Sequence, residues 1–147
     1  MNSLIKSASE ISLMRESGKL LAKVFSELDS FIAPGITTLE IDSFVERYIV
    51  DCLNARPASK GQYGYKFVLN SSVNDVVCHG VPSAAKKLKN GDIVNIDITL
   101  EKNGYIADSS KMYAIGTVSP IARRLIDVTY EAMYKGIDTV KHGSTIG

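Results

Sequence analysis

The clearest signal along the chain is an alternation. In the run Ile93-Val94-Asn95-Ile96-Asp97-Ile98-Thr99-Leu100 the even positions are all aliphatic, while Asn95, Asp97 and Thr99 are polar. That is the period of a half-buried β-strand. After Glu101-Lys102-Asn103-Gly104 comes a second run, Tyr105-Ile106-Ala107-Asp108-Ser109-Ser110-Lys111-Met112-Tyr113. Asn-Gly best tolerates positive φ at both central positions of a type I′ turn, so it predicts a two-residue hairpin loop. Counting outward from the turn, Lys102 faces Tyr105, Thr99 faces Asp108 and Asp97 faces Ser110. Asp97 and Asp108 then become diagonal neighbours on one face, with Cβ atoms roughly 7 Å or less apart. A slip of one residue would send them to opposite faces.

Helical patterns flank the hairpin. Ser7-Ala8-Ser9-Glu10 has the form of a capping box, and Ile11, Met14, Leu21, Phe25, Leu28 and Ile32 follow at helical spacing. They predict an amphipathic helix from about Ser9 to Phe31, stopped by Pro34-Gly35. Thr37-Thr38-Leu39-Glu40 opens a second helix whose apolar face is Ile41, Phe44, Val45, Tyr48, Ile49, Cys52 and Leu53, with Arg56-Pro57 marking its end. Phe67 to Ser72 reads as a strand, and Val76 to Pro82 as a short strand ending in a turn. A third helix starts at Ser119-Pro120, carries Ile121, Leu125, Val128, Ala132 and the run from Tyr134 to Val140, and closes at Lys141-His142-Gly143. His142 is assigned a solvent-exposed cap and no chemistry. The pattern gives an α+β fold: an antiparallel sheet whose aliphatic face is covered by helices. A weak internal echo links Phe31 to Thr37 with Thr139 to Thr145, each a helix end, a Gly and a Thr able to cap a new helix.

Composition narrows the function classes. With 147 residues and 45% hydrophobic content, the chain has enough for one compact domain, residues 1–147. A net charge of +1 gives no reason to expect nucleic acid or a membrane surface as a partner. Lys86-Lys87-Leu88-Lys89 reads as a solvated loop. Met1 to Lys6 lacks the apolar core of a signal peptide, and no stretch approaches the length of a membrane span. Cys52 and Cys78 form no disulfide framework or zinc-ribbon spacing, and Cys78, flanked by valine, reads as a small core residue. A cytoplasmic protein with reduced thiols is expected.

The candidate chemistry lies on the polar face of the hairpin. Carboxylates aimed at each other across a diagonal pair can share one or two metal ions, with oxygens at about 2.0 to 2.2 Å. The same pattern suits two solvated residues on an open sheet face, since close carboxylates without a cation repel each other. Asn95, Thr99 and Ser110 on that face suit a lined cavity. Lys60-Gly61-Gln62-Tyr63-Gly64-Tyr65 is a glycine- and tyrosine-rich connection fit for a pocket wall or for packing. A lone histidine such as His79 serves structure as readily as catalysis.

Asn95-Ile96-Asp97-Ile98-Thr99, Gly104 and Asp108-Ser109-Ser110-Lys111-Met112, preceded by Ser72-Val73-Asn74-Asp75-Val76-Val77-Cys78-His79-Gly80-Val81-Pro82, resemble the first half of a bacterial-type (type I) methionine aminopeptidase. The resemblance implies the N-terminal half of a pita-bread fold, two similar αβ halves about a pseudo-twofold axis. It implies removal of the initiator methionine from nascent proteins by two divalent ions, of Co, Mn, Fe(II) or Zn. Asp97 and Asp108 match the first two of five ligands; the remaining His and two Glu have no counterpart in residues 1–147. His79 matches the histidine that hydrogen-bonds the substrate near the scissile amide, and Tyr65 an aromatic wall of the methionine pocket, whereas Gln62, Tyr63 and Asn70 depart from the bacterial pattern. The resemblance implies a monomeric complete enzyme acting on nascent chains, with the ribosome as a further partner. The chain alone is expected to be inactive, to bind divalent ions weakly and to self-associate through an exposed apolar patch. The alternatives are a non-enzymatic pita-bread binding protein and a sister X-Pro aminopeptidase or creatinase-type hydrolase.

Overall fold

The computed structural model describes residues 4–146. In chain order its elements are helix α1 (Ala8–Phe31), helix α2 (Thr38–Arg47), the two-residue strand β1 (Arg56–Pro57), strands β2 (Leu69–Val73), β3 (Ile93–Lys102) and β4 (Tyr105–Ala114), and helix α3 (Pro120–Asp138). All strand pairs are antiparallel. β3 is central: β4 runs along the whole of one edge, while β1 and β2 share the other. Asn103 and Gly104 both have positive φ, 53° and 81°. This turn sets the register the sequence predicts: Lys102 opposite Tyr105, Thr99 opposite Asp108, and Asp97 opposite Ser110.

The alternation in β3 decides which face is core. Val94, Ile96, Ile98 and Leu100 are each 0% exposed, packed in one cluster with Leu21, Val24, Phe25 and Leu28 of α1 and Ile41, Val45 and Ile49 of α2. Each such side chain contributes about 1.5 to 3 kcal/mol by leaving water. Both capping boxes form as expected: the Ser7 N–H donates to Glu10 Oε2 at 2.7 Å and the Thr37 N–H to Glu40 Oε2 at 2.7 Å. α1 is also pinned to the hairpin end, because buried Ser17 donates its hydroxyl to the Tyr105 carbonyl at 2.8 Å. The helices thereby hold the sheet from one side and leave its polar side open.

Several expectations are corrected. The regular part of the second helix ends at Arg47, followed by a π-helical turn over Tyr48–Cys52. Arg56-Pro57 does not cap that helix; it forms β1, paired with Glu101 and Leu100, once Asn54 at φ 46° has turned the chain. Proline is tolerated at such a sheet edge because it has no N–H to lose. Val76 to Pro82 is not a strand but an irregular loop, with Val77 93% exposed, and Cys78 is exposed rather than a core residue. The cause is the turn before it: Asn74, at φ 56°, bonds Asp92 Oδ1 at 2.9 Å and the Ile93 N–H at 3.0 Å. Those bonds aim the chain off the sheet. Within Lys86-Lys87-Leu88-Lys89 the lysines are exposed, while Leu88 plugs the core. α3 ends at Asp138, short of Lys141, and Ile121, Leu125 and Val128 on it are exposed. His142 is exposed, as expected.

Candidate metal and substrate site

The open face of the sheet collects the polar residues of three strands. Asn95, Asp97 and Thr99 come from β3; Asp108 and Ser110 from β4; Asn70 and Ser72, paired with Asp97 and Asn95, from β2. The Asp108 carboxyl titrates above the ordinary aspartate value, first because burial disfavours its charge, then because the Asp97 carboxylate adds a like charge and can accept a hydrogen bond from the protonated form. The register makes the two residues diagonal neighbours on one face of the hairpin. Among the described residues no group of three or more His, Cys, Asp and Glu side chains is placed to hold an ion. Asp97 and Asp108 fit two positions of the oxygen shell of a hard or borderline divalent cation, and a cation between them would cancel the repulsion that raises Asp108.

The sign of that shift yields a prediction. An aspartate whose folded pKa lies above its unfolded value destabilises the fold as pH rises through the window starting near 3.8. Asp108→Asn removes that burden, so the variant should be the more stable at pH 7. Asp108 is largely open to solvent, so screening holds the gain below about 1 kcal/mol. Urea melts should show the gap closing below that window. Saturating Mn²⁺ should reverse the order, since a cation bound to the native state stabilises the wild type alone.

A recess of about 510 Å³ beside the aspartates is lined by Ser59, Gln62, Tyr63, Tyr65, Asn70 and His79. Tyr65 and His79 are thus brought together. Neither aspartate lines this recess; Asp97 reaches it through Asn70, whose Nδ2 donates to Asp97 Oδ2 at 3.4 Å. The Tyr65 hydroxyl shares its one proton between the Leu69 carbonyl at 2.8 Å and Asn70 Oδ1 at 3.0 Å, and burial and the charges of Asp42 and Asp97 raise its pKa. Tyr63 and His79 sit in the left-handed region at φ 49° and 55°, a strain of order 1 kcal/mol or more for such residues. His79 is held there by its neighbour: Gly80 accepts from the Ser71 N–H at 2.7 Å and donates to Ser72 Oγ at 3.2 Å.

Sequence reasoning missed two supports. Asp42 is 4% exposed and accepts from the Val68 and Leu69 N–H groups at 2.8 and 3.3 Å, fixing the start of β2. A charged residue on the same helical arc as Ile49 was the available signal. Asn70 was readable only as a departure from a pattern; its contact needs the pairing of β2 with β3.

Residues 12–147 match the family described as Metallopeptidase family M24. The chain belongs to metallopeptidase family M24. It is 44% identical over 139 residues to a methionine aminopeptidase of Salmonella typhimurium, covering 95% of this chain and 53% of that relative. Among solved structures it is similar to the methionine aminopeptidase of Rickettsia prowazekii, at 41% identity and a TM-score of 0.86, covering 90% of this chain and 53% of that one. It also resembles the Xaa-Pro dipeptidase of Bacillus anthracis, at 26% identity and a TM-score of 0.84, covering 97% of this chain and 38% of that one. The chain spans about half the length of the curated relatives it matches. The architecture, α+β with an antiparallel sheet helix-covered on one face, is that of a pita-bread M24 half. Membership of a metallopeptidase family carries dependence on divalent metal. Among the described residues, no helix is long and apolar enough to cross a membrane.

Proposed function

We propose that the whole protein removes the N-terminal methionine from nascent peptides, and that this chain supplies two of its metal ligands, Asp97 and Asp108, together with His79 and Tyr65. The observation that carries this reading is the β3–β4 register, which sets Asp97 and Asp108 as diagonal neighbours on the open face of the sheet. Two divalent ions, of Mn, Fe(II), Co or Zn, fit carboxylate-rich ligation. Such ions, when bound, lower the pKa of a water and polarise the scissile carbonyl.

The residues of this chain then divide the work. Asp97 and Asp108 hold the charge that keeps the cations in place. His79, exposed on its loop at the recess, donates a hydrogen bond at the scissile amide as its oxygen gains charge. Tyr65 forms a wall of the recess that takes the methionine side chain. Two ligands do not close a coordination shell, so residues 1–147 alone bind divalent ions weakly and do not turn over. The setting is the cytoplasm, where nascent chains emerge from the ribosome. The apolar side of α3, with Ile121, Leu125 and Val128 exposed, is where isolated copies of the chain would self-associate; the whole enzyme is a monomer.

The test is a comparison of peptides. With Mn²⁺ or Co²⁺ added, the whole protein should release methionine from Met-Ala-Ser and leave Xaa-Pro peptides intact. Cleavage of Xaa-Pro alone would hand the reading to the prolidase-like branch of the family. Hydrolysis of neither, with both ions tried, would return it to a binding protein.

A further inference from the structure

We infer that Asn70 is a positioning residue for Asp97, and that it ties the orientation of this carboxylate to the Tyr65 wall of the recess. The inference rests on the reading of Asp97 as a metal ligand and goes beyond it. Asn70 stands directly opposite Asp97 in the β2–β3 ladder, where cross-strand side chains meet. Its amide oxygen accepts from the Tyr65 hydroxyl at 3.0 Å and its amide nitrogen donates to Asp97 Oδ2 at 3.4 Å.

The amide can sit only one way round. If flipped, it would set its oxygen against a carboxylate oxygen, two acceptors with no proton between them. As placed, the amide engages Oδ2 of Asp97 and not the other carboxylate oxygen. Tyr65 supports this sense of the amide through a proton it shares between the Leu69 carbonyl at 2.8 Å and Asn70 Oδ1 at 3.0 Å. A substrate side chain that presses on Tyr65 therefore acts on Asp97 through one amide.

Two measurements on the 147-residue chain test this. In ¹⁵N spectra, Asp97→Asn should move the Asn70 side-chain amide upfield and leave the amide of Asn74, which is held by Asp92, in place. Titrating Mn²⁺ and following broadening of the Ser110 backbone amide, Asn70→Leu should need about fivefold more ion, the weight of one long hydrogen bond to a charged acceptor. Tyr65→Phe, which keeps the ring and frees the amide to flip, should show a smaller increase in the same direction. An Asn70 amide indifferent to Asp97→Asn overturns the inference. So does wild-type Mn²⁺ binding in Asn70→Leu. If Mn²⁺ broadens nothing near Asp97 in the wild type, the ligand reading falls by itself, and the amide response alone decides whether Asn70 orients Asp97.

Discussion

An alanine at position 80 should destabilise the chain by about 3 kcal/mol and displace His79. A Cβ built on Gly80 would lie 2.2 Å from the Ser71 carbonyl oxygen and 2.9 Å from the Ser72 Cα. Both are backbone atoms of β2, so no rotamer change relieves the overlap. The loop must lift, and with it go the bond from the Ser71 N–H at 2.7 Å and the bond to Ser72 Oγ at 3.2 Å. Each lost bond costs about 1 kcal/mol, and overpacking against a fixed strand adds about 1 to 3 kcal/mol. His79, one residue earlier and already at φ 55°, is held beside β2 through these Gly80 bonds, so its imidazole should leave the recess. Urea denaturation measures the first effect and nuclear Overhauser contacts between His79 and Tyr65 the second. A variant as stable as the wild type would show that the loop is not seated on β2 as described.

That loop also marks the limit of what the sequence discloses. The hairpin was legible because two local rules agree there: an alternation that fixes the faces, and an Asn-Gly pair whose positive φ values fix the register. The capping boxes at Ser7 and Thr37 were legible for the same reason, since every bond in them spans three residues. Val76-Val77-Cys78 is apolar in sequence yet exposed, because the deciding bonds, from Asn74 to Asp92 and Ile93, reach across nearly twenty positions. Arg56-Pro57 is a like case: a helix stop and an edge strand have the same local sequence, and only the pairing with Glu101 and Leu100 tells them apart.

The candidate site divides along the same line. The shared face of Asp97 and Asp108 follows from pairing within one hairpin, and the structure has it in the predicted register. The contacts of Asn70 with Asp97 and of Asp42 with Val68 depend on segments far apart in the chain. Asp42 could still have been singled out, because a buried acid on an apolar helical arc needs donors, and the first N–H groups of an adjacent strand supply them. Its charged form is disfavoured by burial even with those donors present. That acid holds the segment on which Tyr65 and Asn70 stand.

Asp97→Ala in the whole protein should lower methionine release by about a thousandfold or more while leaving the fold at least as stable as before. The two halves of that expectation have separate causes. On the proposed reading, activity falls because a carboxylate in the centre of β3 would be lost from the ligands of ions that lower the pKa of a bound water, and no described acid other than Asp108 stands beside it to substitute. Stability holds because the side chain is on the open face, away from the aliphatic cluster, and the bond it gives up, from Asn70 Nδ2 at 3.4 Å, is a long one. Its removal also withdraws the like charge that raises Asp108, so the native state sheds a repulsion above the ordinary aspartate range. Sites that hold like charges together for function commonly run against stability in this way. Asp97→Asn should behave similarly for stability and retain slightly more activity, because a neutral amide oxygen is a weaker ligand of the same shape. Peptide assays with Mn²⁺ and thermal melts in a chelator read the two effects independently. Loss of activity and stability in equal measure would make Asp97 a structural acid, and full activity in Asp97→Ala would remove it from the metal site altogether.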